Sequence, residues 1–481
     1  MAATELSVPA WTPQERESFF DAIARHRRAA ARIGLVSNAC AFALALIVAM
    51  LMAPLLYAVI GLVLDLLNLV VHTPDLFKVA MDNIEPLIDT PDKVPVSRWI
   101  YISLMAAVPG LVVMGFIMLA LSRVLREATM SDAGNFTVHA PNPVVLAEQR
   151  FVNTVGEMAV AAGLPVPRVF IIQSAAANAA AFGQDGAHAT VAVSTGLLEG
   201  LSRSEMQGVA AHLVGSIANG DMAVGTRVAT TLSLFGLIAK LSESFGDRAA
   251  AARFVKLVRG AARRGASVED GELALELTNP FGTPRTPAEP REPEPEGKVP
   301  WGTLAWMPLA GPLVISGFFG GMLSTFVLSP LLAWVWRRRK FMADATAVRL
   351  TREPNTLADA LTKLNGMPSE GAFAPWTAHM SVVNVQKIGG RSLLSSSGGS
   401  MFPSLERRLK ALTGMGANES KVRSARSWRN IPPIGWGVLV PIGMLLVLLL
   451  ATAVFLLAYV SLALSGLFTW LPALLIHAIL R

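Results

Sequence analysis

Gly208-Val-Ala-Ala-His-Leu-Val-Gly-Ser-Ile-Ala-Asn-Gly-Asp221 is the stretch on which the reading of this chain turns. Just before it stands Ser202-x-x-Glu205, the pattern of a capping box, in which each side chain accepts from the other residue's backbone N–H. The pattern predicts a helix that begins there and runs through the quoted residues. Four residues separate His212 from Ser216, so both fall on one helical face. Leu213 follows His212, and Asn219 and Asp221 stand where the helix should end.

Composition sets the surroundings. The 481 residues are 53% hydrophobic and 16% charged, with a mean hydropathy of +0.49. That is too apolar for a soluble globule and indicates a membrane protein with a sizeable polar part. The formal charge of +7 suits basic segments lying against an anionic leaflet. Nucleic-acid binding is not expected, because the basic residues flank apolar runs and are not interleaved with aromatics. The single cysteine, Cys40, excludes a disulfide framework within one chain and any cysteine-based metal site. The polar, acidic N-terminus carries no sign of a cleavable signal peptide.

The chain divides by polarity. Residues 1–32 form a basic N-terminus ending in Arg25-His26-Arg27-Arg28 and Arg32. Residues 33–121 hold two expected spans, Ile33–Leu64 and Trp99–Leu121, around a loop in which acidic residues outnumber basic ones. The positive-inside rule puts the N-terminus and residue 123 onward in the cytoplasm. Residues 127–225 read as the first part of a soluble α/β unit. In it Pro165–Ile172 and Thr190–Ser194 are β-branched runs typical of strands. Residues 226–336 contain apolar segments around a linker at 247–300, in which a basic amphipathic stretch, Arg248 to Arg264, leads into Pro/Glu-rich sequence at Pro284–Pro300 that reads as extended spacer. Either 226–242 and 312–336 each cross once, or 303–336 forms a hairpin; the segment lengths favour the first. Arg337-Arg338-Arg339-Lys340 opens a second polar part, 337–430, and 434–481 is a C-terminal transmembrane region.

The stretch from Pro165 to Asp221 resembles the HtpX/CAAX-prenyl-protease type of membrane zinc endopeptidase. Pro167-Arg-Val-Phe-Ile-Ile resembles the family's first strand, and Asn178-Ala-Ala-Ala-Phe-Gly its Asn-Ala-Phe-Ala-x-Gly segment. Val191-Ala-Val-Ser-Thr-Gly-Leu-Leu198 resembles the strand and turn before the metal helix. His212-Leu-Val-Gly-Ser216 lies in the frame of His-Glu-x-x-His, and Asn219-Gly-Asp221 closes that helix. Lys340-Phe-Met-Ala-Asp344 is similar to the family's Glu-Tyr-x-Ala-Asp, which supplies the third zinc ligand. Phe402-Pro-Ser-Leu-Glu-Arg-Arg-Leu is similar to its His-Pro-x-x-x-x-Arg-Ile. The resemblance covers roughly half the chain and keeps the motif order. It implies an α-helical polytopic membrane protein with a cytoplasmic α+β zincin-like domain, in a bacterial inner membrane.

Carried over position by position, the resemblance implies altered chemistry. Such a zinc needs three protein ligands, a water and a carboxylate base. His212 remains as a vestigial ligand. Leu213 stands at the general base, Ser216 at the second ligand, Lys340 at the third and Phe402 at a histidine that assists the transition state. Asn219, Asp221 and Asp344 are supporting positions. A single imidazole facing an ammonium does not supply the binding energy, on the order of 10 kcal/mol, that structural zinc sites gain from their ligands. No cofactor is therefore expected, with zinc required only under the alternative of an active enzyme. Lys340 has two readings: the end of a juxtamembrane basic cluster, or an ammonium in the vacated metal position held by Asp344 or Asp221.

The expected function is that of a pseudopeptidase: a scaffold or regulator that binds polypeptide or a membrane-protein partner, in membrane protein quality control. The family pairs extended polypeptide with an edge strand, which needs backbone hydrogen bonds and no zinc. Asn178, Ala179, Ala180, Ala181, Val191 and Val193 are expected to form that edge. The partners implied are the lipid bilayer and an extended polypeptide or another membrane protein, with an oligomer or hetero-complex compatible. The alternative is an active, divergent zinc metalloendopeptidase. A transporter fits least, since the centres of the clear spans lack paired ionisable residues.

Overall fold

A computed structural model describes residues 17–89, 93–130, 138–183, 185–243, 248–263, 270, 273–274, 277, 313–322, 324–368, 380–383 and 401–418. The expected C-terminal transmembrane region and most of the 247–300 linker lie outside them.

Helix α1 (Phe19–Leu67) starts at Ser18, whose side chain accepts from the Phe20 N–H, and continues for 49 residues. At 1.5 Å per residue that is about 73 Å, more than twice the ~30 Å hydrocarbon thickness of a bilayer. The basic cluster Arg25–Arg32, expected in a polar N-terminal segment, is thus part of the helix itself. Its first turns reach the peptidase-like part of the molecule, where Ala22 and Ile23 pack on Met342 and Ala345. The short helix α2 (Leu76–Asp89) leads to α3 (Val96–Met130). Helices α1 and α3 are the two described helices long and apolar enough to cross a membrane. They approach through small residues: a Cβ on Gly110 would lie 2.5 Å from the backbone of Ala49, the kind of contact that joins helices in lipid. Their outer faces expose Leu35, Phe42, Val59, Val112, Phe116 and Leu119, as lipid-facing surfaces do.

Beyond α3 the chain builds a four-stranded sheet from β1 (Val138–His139), β2 (Arg168–Ile172), β3 (Ala179–Gly183) and β4 (Ala189–Ser194), in the order β1-β2-β4-β3. Between β1 and β2 runs α4 (Leu146–Ala162), closed by Gly163 in the left-handed conformation at φ 70°. β4 pairs parallel with β2 and antiparallel with β3. It is therefore an interior strand, so Val191 and Val193, expected on the open edge, are enclosed on both sides. Of the β3–β4 hairpin, β3 is the edge strand, the sheet's other edge being β1; β3 holds Ala179, Ala180 and Ala181, with Asn178 just before it.

After α5 (Thr195–Gly200) comes α6 (Arg203–Ala218), and Ser202 and Glu205 form the predicted capping box. α6 is the core of the unit. Met206, Val209, Leu213 and Val214 share one apolar cluster with Phe151 of α4 and Val191 and Val193 of β4. α7 (Asp221–Glu243) then packs through Val228, Leu232, Phe235 and Ile238 against Leu121, Val124 and Leu125 of α3. The basic helix α8 (Arg248–Ala262) places Leu257 and Phe254 on the same cluster.

Helix α9 (Leu313–Met322) and a π-helical turn, Ser324–Leu328, lead into α10 (Ser329–Thr351). α10 packs along α1 and α6. Helix α11 (Pro354–Gly366) crosses α6 at Gly208, where a Cβ would come within 2.6 Å of the Leu357 nitrogen. Helix α12 (Leu405–Gly414) completes the described fold.

Candidate functional site

Three helices bring the predicted positions together. α6 supplies His212, Leu213 and Ser216, α10 supplies Lys340 and Asp344, and α12 supplies Arg408. Between them passes the short segment Met380–Val383. His212 and Asp344 are wholly buried, and Lys340 and Arg408 retain 3% exposure each.

Asp344 is the hub. Arg408 donates to it twice, from Nε to Oδ2 at 2.8 Å and from the second guanidinium arm to Oδ1 at 2.7 Å. The third arm of Arg408 donates to the Val382 carbonyl at 2.7 Å. His212 Nδ1 approaches Asp344 Oδ1 to 2.8 Å, but neither ring nitrogen has an aligned hydrogen-bond partner among the described residues. Burial pushes the Asp344 carboxyl up, but Arg408 and His212 outweigh it and hold the group well below the usual carboxylate range. Burial drives the His212 imidazole down to about 4, only partly opposed by Asp344. A carboxylate beside a neutral imidazole and a guanidinium is the resulting charge state.

Lys340 does something else. Its Nζ donates to the Ser381 carbonyl at 2.6 Å and to the Met380 carbonyl at 3.3 Å. The same ammonium lies 5.7 Å from the Trp336 ring centre and 5.4 Å from that of Phe402, within reach of cation–π attraction. Burial, with Arg408 adding repulsion, pulls its pKa down to about 7. Neither carboxylate expected to hold it does so directly. Asp344 is taken by Arg408, and Asp221 is paired with Arg339, which also donates to the Asn219 carbonyl. Nor is Lys340 an exposed juxtamembrane anchor.

The remaining positions are packed or paired. Leu213 is 1% exposed and belongs to the central apolar cluster. Ser216 lies beside Asp221 and helps to hold that carboxyl down against the effect of burial. The Asn219 side chain donates to the Thr346 hydroxyl at 3.2 Å. Phe402 meets Lys340 through its ring. Among the described residues, no three His, Cys, Asp or Glu side chains converge as a metal-binding group.

The outer side of β3 is covered by the chain itself. Ser381 bridges to Ala180 in antiparallel sense. The Val382 N–H donates to the Ala179 carbonyl at 2.8 Å. Asn178 closes the contact from both ends: its Nδ2 donates to the Val383 carbonyl at 3.1 Å, and its Oδ1 accepts from the Val383 N–H at 3.3 Å.

Sequence reasoning did not single out Arg339, Arg408 or the 380–383 segment. Arg339 stands inside a four-residue basic run, where nothing marks which residue turns inward. Arg408 carried a usable signal, since it falls on the arginine of the motif that begins at Phe402.

Comparison with known proteins agrees with this architecture. A model of Peptidase family M48 matches residues 146–279, which include α4, the sheet strands β2–β4 and α6. A protease HtpX homolog of Desulfatibacillum aliphaticivorans is 30% identical over 280 residues, 55% of this chain and 70% of the relative. One from Tropheryma whipplei is 32% identical over 269 residues, 56% of this chain and 72% of the relative. A third, from Burkholderia multivorans, is 30% identical over 271 residues, 55% of this chain and 74% of the relative. With the helix pair suited to a bilayer and the site on α6 and α10, the chain belongs to peptidase family M48, as a membrane metallopeptidase relative of the HtpX type.

Proposed function

We propose that this protein binds polypeptide at a membrane and no longer hydrolyses it, serving as a scaffold or regulator in membrane protein quality control. The observation that carries this reading is Lys340. A buried ammonium stands at the family's third-ligand position, and backbone carbonyls hold it there. While it is protonated, at an effective dielectric near 20, its unit charge about 4 Å from a divalent cation would be repelled by roughly 8 kcal/mol, and once deprotonated it brings no negative charge to compensate the metal, as a glutamate would. The other positions support the same conclusion. Ser216 offers a neutral hydroxyl beside Asp221, and Leu213 has no proton-accepting atom. The residues present do not fit a catalytic zinc.

The reading includes a multi-pass arrangement in the inner membrane with the M48 domain on the cytoplasmic side. Charge distribution supports it: Arg25, Arg27, Arg28, Arg32 and Arg123 flank the two membrane helices on the side of the peptidase-like unit. One observation favours the active alternative, namely that His212 Nε2 has no partner among the described residues. Both are tested on purified full-length protein by zinc content and by cleavage of an unfolded substrate such as casein. The proposal expects zinc well below one per chain and no cleavage. Stoichiometric zinc, with cleavage abolished by a chelator and by His212→Ala, overturns it.

A further inference from the structure

The backbone at the β3 edge carries a second inference, which rests on the polypeptide-binding reading and says what the site binds at rest. We propose that Met380–Val383 is an intramolecular ligand of the β3 edge, clamped by Lys340, and that an extended polypeptide binds only by displacing it.

The contacts are those of a bound strand. Ser381 faces Ala180 antiparallel, and the Val382 N–H donates to Ala179 on one flank of that pair. Asn178 reads both polar groups of the Val383 backbone. Val382 packs with Ala179, Ala181 and Val193, on the face that its pairing with Ala179 dictates. Met380 turns to the opposite cluster, with Ala180, Phe182 and Ala192, so the strand geometry begins at Ser381. Arg408 and Lys340 then hold the far side of the segment, Arg408 at the Val382 carbonyl and Lys340 at those of Met380 and Ser381.

These last contacts give Lys340 a role. An ammonium is a donor only, and at 2.6 Å and 3.3 Å it gives a donor to two successive buried carbonyls, those of Ser381 and Met380. Carbonyls are common to every polypeptide, so this clamp selects extended backbone and not a particular residue. Small residues line the strand opposite: Ala179, Ala180 and Ala181 leave room for apolar side chains such as Met380 and Val382. The ligand class is therefore an extended apolar peptide. The segment tethered in cis competes with it at high effective concentration.

The test uses the full-length protein in detergent, in a Cys40→Ser background. Ala180→Cys with Ser381→Cys places two thiols across the pair. The Val382–Ala179 bond flanks the pair and does not belong to it, so its Cα atoms should be about 4.5 Å apart, which suits a disulfide. Oxidation by copper phenanthroline should lock the segment. A fluorescein-labelled peptide of residues 377–386 should bind the reduced protein and lose binding after oxidation. Equal binding in both states overturns the proposal.

In the second arm, Ser381→Cys alone is alkylated with a maleimide. Its rate should rise about tenfold or more when Lys340→Met removes the clamp, the effect of losing one or two charge-assisted hydrogen bonds. An unchanged rate in a folded variant overturns the clamp; if Lys340→Met does not fold, the disulfide arm decides. A probe that binds in neither redox state overturns the polypeptide-binding reading instead, and the alkylation rates still judge self-occupancy.

Discussion

Both carboxylate oxygens of Asp344 accept from the guanidinium of Arg408, and the pair is almost wholly buried between α10 and α12. Guanidinium matches a carboxylate with two parallel donors, which a lysine ammonium does not. This explains why Lys340, one turn earlier on the same helix, is left to backbone carbonyls. Removing one partner strands the other as a buried charge. Asp344→Asn is therefore expected to cost about 3–5 kcal/mol. The double change Asp344→Leu with Arg408→Met should recover much of that loss. Denaturant unfolding in micelles would measure both, and a single-variant loss below about 1 kcal/mol would contradict the pair's structural role.

His212 gives stability a pH window. Burial holds its imidazole at about 4, against about 6.5 in an unfolded chain. Between those values the unfolded chain takes up a proton that the native site refuses, so stability falls as pH drops from about 6.5 to 4. A depression of this size corresponds to an order of 3 kcal/mol. The groups that face the ring are Asp344, Arg408 and Lys340. Asp344, with its depressed carboxyl, keeps its contribution above its unfolded pKa of about 3.9 and loses it only in stronger acid. Unfolding of the native protein and of His212→Met, compared from pH 7 down to 4, should show the native protein losing more. Parallel curves would count against this assignment.

Gly208 tests the packing of the site helix. A Cβ there would meet the Leu357 nitrogen and the Thr356 carbonyl carbon at 2.6 Å each. Alanine gains about 1 kcal/mol of helix propensity over glycine. Pushing α11 off α6 costs about 1–3 kcal/mol, so Gly208→Ala should be destabilising on balance. Gly156 on α4 is the contrast, because nothing lies within 4 Å of its added Cβ. Gly156→Ala should stabilise by up to about 1 kcal/mol. Thermal unfolding of the two variants should move in opposite directions, and movement in the same direction would refute the close-approach argument.

What the sequence made legible was local. The Ser202–Glu205 capping box, the β-branched runs of β2 and β4 and the apolar stretches of α1 and α3 each carry their signal within a few turns. The site was legible only where a motif named the position, as at Lys340. Its partners were not, because they come from far along the chain: Asn178 meets Val383 across 205 residues. Composition cannot reveal such a pairing, and Met380–Val383 has no local mark of a strand beyond four ordinary residues. Charge runs hid Arg339 in the same way. A run beside an apolar segment reads as a solvated anchor, yet the helical twist turns Arg339 to Asp221 and Lys340 to Ser381. Nor do Asn178–Ala181 and Val191–Val193 make one edge, since the hairpin that carries them contributes one edge strand and one interior strand.

If Lys340 and Ser216 are what deny the site its metal, replacing them should restore binding before it restores chemistry. Ser216→His with Lys340→Glu would give, with His212, two imidazoles and a carboxylate, a set that zinc takes in catalytic sites. The glutamate also removes the ammonium and frees the carbonyls of Met380 and Ser381. The double variant should hold about one zinc per chain by elemental analysis, where the unchanged protein holds little. It should still fail to cleave casein, because Leu213 cannot accept a proton from a bound water. Only the further change Leu213→Glu supplies that acceptor, in a core position where a carboxylate is costly unless the metal compensates it. Zinc retained equally by the unchanged protein and the double variant would show that Lys340 and Ser216 do not control the site.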